Sequence, residues 1–389
     1  MRAVTFVNAQ VLTPDGIASS ITIRRGRIAA IDTAPRRRDV VVDLEGGVVC
    51  PGFINAHDHL ELNSFPRLKW REKYANVREW IADFQPRFAT DPDLAAARPG
   101  TLADRLWVGG LKNLLCGVTT VCHHNPLHRP LQQRFPIRVV RRFGYSHSLQ
   151  IDGPAAAEAY RRTPAEWPWV IHAAEGVDGE ASREIETLAA LECLSAKTVL
   201  VHGVGISDTQ RARLIQGGTS LVWCPSSNDF LFGRTADVVA FDRAGRLALG
   251  TDSRLSGAGD LFDELRAALA TGQLDTTALV RAITINAARV LRLPFAGRLA
   301  VGLPADLTIL QARHGDPAAA VALSRRTDVR LTMIDAQPLV GELSLAAVFS
   351  ARRTAVARVT VDGEVRLMAA WIARRAAALT LRERGLETS

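Results

Sequence analysis

From Pro51 onward the chain repeats one pattern over about 240 residues: a short apolar run, an amphipathic stretch, another short apolar run. The apolar runs read "VVCPGFINA", "GVTTVCHH", "IRVVRRFGYSHS", "WPWVIHAAE", "KTVLVHGVG", "TSLVWCPSS" and "RLALGTDS". Between them lie "TLADRLWVGGLKNLLC", "SREIETLAALECL" and "DLFDELRAALATG". Strands that alternate with helices form a parallel sheet with the helices outside it. This predicts an α/β fold, a TIM-like (β/α) barrel over residues 51–298. Only seven runs are distinct, and the segment between His124 and Trp167 is short, so one strand is expected to be missing or irregular.

The two ends have a different texture. The first fifty residues read as short strands punctuated by Gly and Asp. After Pro294 strands return in "GRLAVGLPADLTIL", "DVRLTMIDAQPLVG" and "VARVTVDGEVRLM". The pieces "RRTDVRLTMIDAQPL" and "RRTAVARVTVDGEVR" resemble one another, as two similar strand pairs would. Residues 1–50 and 299–368 are therefore expected to build one composite β-sandwich domain beside the barrel. The last stretch, 369–389, reads as a helical tail.

A chain of 389 residues, 47% hydrophobic, is long enough to bury a large core. No apolar run reaches the roughly 18–20 residues of a membrane span. The N-terminus lacks the apolar core of a signal peptide, so the cytoplasm is the expected location, with no membrane partner. Cys50, Cys116, Cys122, Cys193 and Cys224 are scattered in or beside apolar runs without a CxxC pair, and read as buried free thiols. The net charge of +8 comes almost wholly from arginine, since the only lysines are Lys69, Lys73, Lys112 and Lys197. The arginines are spread along the chain without a nucleic-acid module, so no nucleic-acid partner is expected.

The chemistry-bearing residues gather at predicted strand ends. In a strand, residues i and i+2 point to the same side, so His57 and His59 project together from the end of the first barrel strand. Two imidazoles on one rigid strand make half of a metal site. His172 follows "WPWVI", His202 follows "KTVLV", and Asp252 follows "RLALGT". Active sites of such barrels lie at the C-terminal ends of the strands. Four histidines and an aspartate at those ends point to a metal.

The ordered set "PGFINAHDH", "GVTTV", "HAAEG", "VHGVGIS", "CPSSN" and "LGTDS", closed by "AITINAARVLRL" and "AGRLAVGLPADLTIL", resembles the amidohydrolase superfamily. Within it, the chain is similar to the branch of cytosine, guanine and adenosine-type deaminases and triazine hydrolases. The resemblance implies that His57, His59, His172 and Asp252 ligate one divalent metal ion, zinc first and iron second. It implies that His202 polarises the bond under attack or holds the attacking water, that Asp252 also takes the water's proton, and that Glu175 shuttles protons to the substrate. Relatives with two metals use a carbamylated lysine on a middle strand; no lysine lies between Lys112 and Lys197, so one metal is expected. Asp58, between the first two histidines, should point away from the metal. His147, in "FGYSHSL", and His124 are expected at the substrate, as are Asn228 and Arg254. The long first loop, residues 60–98, carries Asn63, Arg67, Lys69, Trp70, Arg71 and Tyr74 as further candidates, with Phe230 and Arg234 after the seventh barrel strand.

The expected activity is hydrolysis of a non-peptide C–N bond in a small cyclic nitrogen compound, with deamination preferred. Lactam opening or halide removal is the alternative, and a scaffold without catalysis the third reading. A homodimer is an assembly that the resemblance alone suggests.

Overall fold

The computed structural model describes residues 2–98 and 100–388. Its middle carries eight barrel strands: β1 (Phe53–Asp58), β2 (Val118–His123), β3 (Arg138–Val139), β4 (Gly144–Ser148), β5 (Trp169–Ala173), β6 (Thr198–His202), β7 (Ser220–Trp223) and β8 (Leu247–Leu249). All neighbouring pairs that ladder are parallel. The barrel expectation holds, with one correction. "IRVVRRFGYSHS" is two strands, not one: the exposed pair Arg141–Arg142 interrupts it. The irregular region is therefore a two-residue β3, and β1–β3 and β4–β8 form separate ladders.

The strands end where the site begins. The backbone N–H of Asp252 donates to the carbonyl of His57 at 3.1 Å, which brings the end of β8 against β1. Gly250 permits this approach, because a Cβ there would lie 2.6 Å from the Cβ of His57.

The helix Leu102–Leu115 shows how sequence sets an element. Thr101 and Asp104 close a reciprocal capping box at its start. Leu106, Leu111 and Leu114 are fully buried, in a helix buried on all sides from Leu106 to Leu115. Gly109 costs helix propensity but lets the turn after His59 pack directly on the helix, since a Cβ there would sit 2.3 Å from the carbonyl oxygen of Leu60. Lys112 of the same helix is fully buried and reaches Asp58.

Both ends of the chain share one nine-stranded sheet. Val48–Pro51 pairs antiparallel with Leu307–Leu310, and Gln10–Thr13 and Gly16–Ala18 extend the sheet from the N-terminal side. A four-stranded sheet holding Val4–Val7 and Ile21–Arg24 packs on it through Phe6, Ile23, Leu307 and Leu331. The two similar sequence pieces are two hairpins, Val329–Ile334 with Gln337–Glu342 and Val356–Val361 with Glu364–Ala369. Their turns, Asp335–Ala336 and Asp362–Gly363, all have positive φ, the twist-matched hairpin turn.

The helical tail is corrected. Ala370–Ala377 is helical, but Leu386–Thr388 is a strand paired with Val359–Val361. The helix is drawn to an end because Thr380 bonds Asp104 and Glu383 enters a buried ion pair, after which Gly385, at φ 69°, turns the chain into the sheet.

Candidate metal centre and active site

His57 and His59 leave β1 on the same side, as strand alternation requires, with ring centroids 4.9 Å apart. β5 brings His172 to them. The Nε2 of His172 lies 3.2 Å from Nε2 of His57 and 3.3 Å from Nε2 of His59. Asp252, beyond β8, sets Oδ1 at 3.7 Å from His57 Nε2 and 3.6 Å from His59 Nε2. An ion about 2.0–2.1 Å from each of four tetrahedral donors holds neighbouring donors roughly 3.3–3.4 Å apart. The spacing of these four groups fits.

For His172 and His57 the ring protons agree with that use. Nδ1–H of His172 donates to the carbonyl of His147 at 2.7 Å, which leaves Nε2 as a lone pair. His124 accounts for His57. Its Nε2–H donates to the carbonyl of Ser146 at 2.9 Å, so its Nδ1 accepts from Nδ1–H of His57 at 3.2 Å. His57 Nε2 is therefore also a lone pair. Lone pairs this close repel unless a cation lies between them. Burial and the neighbouring histidines push His172 and His59 well below the usual imidazole range, so the rings are neutral, the form that ligates metal.

Asp252 is oriented from behind. Ser227 and Ser256 hydroxyls donate to its Oδ2 at 2.8 and 2.7 Å, leaving Oδ1 for the cluster. Burial would raise this carboxyl, but the neighbouring His57, His59 and His202 hold it well below its ordinary value. Asp252 and His202 both take left-handed backbone, φ 52° and 73°, as does Ala174 at φ 51° beside His172. Such backbone costs energy in non-glycine residues and gathers at functional sites.

Glu175 and His202 face each other, Oε1 to Nε2, at 3.5 Å. Burial, with Asp252 and Glu184 adding like charge, raises the Glu175 carboxyl well above its ordinary value and so favours its acid form. Burial pushes His202 down to about 4. Its Nδ1–H donates to Asn228 Oδ1 at 2.9 Å, so Nε2 is an acceptor.

Asp58 points away from the imidazoles into a buried polar cluster. It accepts from Lys112 at 3.2 Å, Asn113 at 2.8 Å and Asn63 at 2.8 Å. Lys112 also donates to Asn63 at 2.8 Å and to Thr251 at 3.0 Å, so all three of its protons are placed. The pair is buried yet satisfied, which is the condition for tolerating it.

Several expected substrate contacts are corrected. His124 is fully buried behind His57 with both nitrogens occupied. Asn228 is fully buried between His202 and Thr235. Arg254 closes a buried two-pronged pair with Glu383 at 2.7 and 2.8 Å. His147 stays at the cluster, half-buried, its ring centroid 4.7 Å from that of His172. In the first loop, Asn63 belongs to the Asp58 cluster, and Arg71 pairs with Asp83 and Glu79. Arg67 pins the loop to the carbonyls of Ser256 and Ser226, and Lys69 to that of Phe230. The sequence reading missed Asn125, whose amide lies 3.2 Å from His59 Nδ1, and both serines on Asp252. The one signal for Asn125 is its place in "CHHN", directly after β2.

Imidazoles and a carboxylate converging at the C-terminal mouth of a (β/α) barrel define a metal-dependent hydrolase. The chain belongs to the amidohydrolase family, whose model matches residues 164–365. It is 30% identical over 363 residues to the 5-methylthioadenosine/S-adenosylhomocysteine deaminase of Halobacterium salinarum, covering 77% of this chain and 82% of that one. Its fold is that of a zinc-bound adenosine deaminase from Xanthomonas campestris (TM-score 0.68, 18% identity, 90% of this chain and 97% of that one). It is also that of the zinc-complexed atrazine chlorohydrolase of Arthrobacter aurescens (TM-score 0.70, 19% identity, 90% and 99%). These relatives lie in the deaminase and triazine hydrolase branch that the motifs resemble. The chain is thus a metal-dependent hydrolase of carbon–nitrogen bonds other than peptide bonds, with a small-molecule substrate. Among the described residues no helix is long and apolar enough to cross a membrane.

Proposed function

We propose that the chain is a zinc-dependent aminohydrolase that removes an exocyclic amine from an aminated purine, with adenine nucleosides of the 5-methylthioadenosine kind as its substrate class. His57, His59, His172 and Asp252 hold the ion. When bound, it supplies Lewis acidity that makes hydroxide available near neutral pH. Asp252 takes a proton from the attacking water. Glu175 gives its proton to the ring nitrogen beside the amine-bearing carbon. His202 accepts a hydrogen bond at Nε2 and keeps the water on line. The water oxygen replaces the amine, which takes the proton held by Asp252 and leaves as ammonia, while Glu175 recovers a proton from the added hydroxyl as the carbonyl forms.

The observation that carries the reading is Glu175: a buried carboxyl 3.5 Å from His202, its pKa raised well above the ordinary value by burial. A ring nitrogen needs such an acid, and the Halobacterium salinarum relative is named for this chemistry. The five cysteines, all buried and free, suit the reducing cytoplasm.

The test is ammonia release by zinc-loaded protein from 5-methylthioadenosine, S-adenosylhomocysteine and adenosine, with a chlorotriazine alongside. Ammonia from an adenine compound is expected. Chloride release without ammonia, or no turnover of any adenine compound, overturns the reading.

A further inference from the structure

The first loop, the loop after β8 and the last residues of the chain meet in one buried ion pair. Arg254, two residues beyond Asp252, gives Nη1 to Glu383 Oε2 at 2.8 Å and Nη2 to Oε1 at 2.7 Å. The side chains are 4% and 0% exposed. Glu383 also accepts from Nη1 of Arg326 at 3.0 Å. Arg254 gives its Nε–H to the carbonyl of Gly259 at 2.7 Å, a further Nη1–H to the carbonyl of Asn63 at 3.5 Å, and its backbone N–H to Asn63 Oδ1 at 3.2 Å. The segment Ser253–Gly259 is thereby closed on itself and fastened at two points. Inside it sits Ser256, whose hydroxyl holds Oδ2 of Asp252 at 2.7 Å.

We infer that Glu383 is a positioning residue for the metal centre. Through Arg254 it fixes the Ser253–Gly259 loop, and through Ser256 it fixes which oxygen Asp252 turns toward the three imidazoles. The C-terminal segment is then a part of the active site that touches neither metal nor substrate. A planar two-pronged pair suits this task, because it sets the orientation of a guanidinium as well as its distance. Outer groups that orient ligands govern metal affinity by about 10–100-fold. The inference rests on the reading of Asp252 as a ligand.

The experiment measures zinc affinity of metal-free full-length protein by competition with a chromophoric chelator, at a temperature where near-ultraviolet circular dichroism shows each variant folded. Asp252→Asn reports on the underlying reading, Glu383→Gln on the inference. Glu383→Gln is expected to weaken zinc binding about 10–100-fold. Combined with Ser256→Ala, it is expected to add little to the effect of Ser256→Ala alone, because both act on one oxygen. Arg326→Gln, which leaves the Arg254 fork intact, is expected to retain parental affinity. If Glu383→Gln does not fold, Arg254→Lys carries the test: it keeps a cation against Glu383 but loses the fork and the bond to Gly259. Parental zinc affinity in folded Glu383→Gln or Arg254→Lys, while Asp252→Asn loses zinc, overturns the inference and leaves the reading of Asp252 standing. Parental affinity in Asp252→Asn overturns that reading instead. A lowered melting temperature with unchanged affinity assigns Glu383 a purely structural role and also overturns the inference.

Discussion

His57 and His124 meet nitrogen to nitrogen, Nδ1 to Nδ1, at 3.2 Å in a fully buried pocket. The contact is a hydrogen bond only because the other nitrogen of His124 gives its proton to the carbonyl of Ser146. One carbonyl thus sets the tautomer of two rings and turns a lone pair of His57 toward His172 and Asp252. His124→Phe keeps most of the ring volume and removes the acceptor. Zinc affinity is expected to fall by about 10–100-fold with the fold retained. Chelator competition reads the change, and unaltered affinity shows that His124 does not govern the tautomer.

Glu175→Gln keeps the shape of the side chain and removes its transferable proton. General acid–base groups contribute about 10²–10⁴-fold, so kcat is expected to drop by that order with KM and zinc content little changed. Steady-state kinetics on the adenine compound that releases ammonia, with metal analysis of the same sample, checks it. A fall in zinc content instead moves Glu175 from proton transfer to metal binding.

The pH dependence has a definite sign. In the proposed mechanism Glu175 works in its acid form, and its pKa is raised, so turnover is expected below that raised pKa and is expected to decline as pH climbs through it. In the same mechanism His202 works neutral, so turnover is expected to decline again as pH falls through about 4. In Glu175→Gln the alkaline decline of the residual rate is expected to vanish. A profile of kcat for parent and variant shows this directly; an identical alkaline limb in both assigns it to another group.

The Lys112–Asp58 pair lies beneath the site, with both side chains fully buried. Removing one partner of such a pair typically costs about 3–5 kcal/mol, because the other charge is stranded. Lys112→Met is expected to lower stability by that amount in urea unfolding, and Asp58→Asn in the same chain to recover part of it. Loss of less than about 1 kcal/mol, the range of exposed pairs, means that water reaches Asp58 in solution.

Much of the barrel and its mouth was legible because the evidence for them is periodic. His57, His59, His172, His202 and Asp252 each close an apolar run, and a run's end on a parallel strand is its place on the barrel rim. The partners of those residues were not legible. Whether His124 or Asn228 faces a substrate or a neighbouring ring depends on side-chain direction beyond a strand end, where alternation no longer applies. Arg254 read as a substrate contact because its counter-charge, Glu383, lies 129 residues away, in a stretch whose composition is that of a helix. The eighth strand escaped because two residues, Arg138 and Val139, are too few to carry a period.

The most direct measurement is X-ray absorption at the zinc edge of protein loaded with one equivalent of zinc. Three imidazole nitrogens and oxygen donors at about 2.0–2.2 Å are expected, with sulfur absent. The imidazole signal should drop by one in His172→Ala. A shell containing sulfur, or one that keeps three imidazoles in His172→Ala, contradicts the convergence of His57, His59, His172 and Asp252 on a single ion.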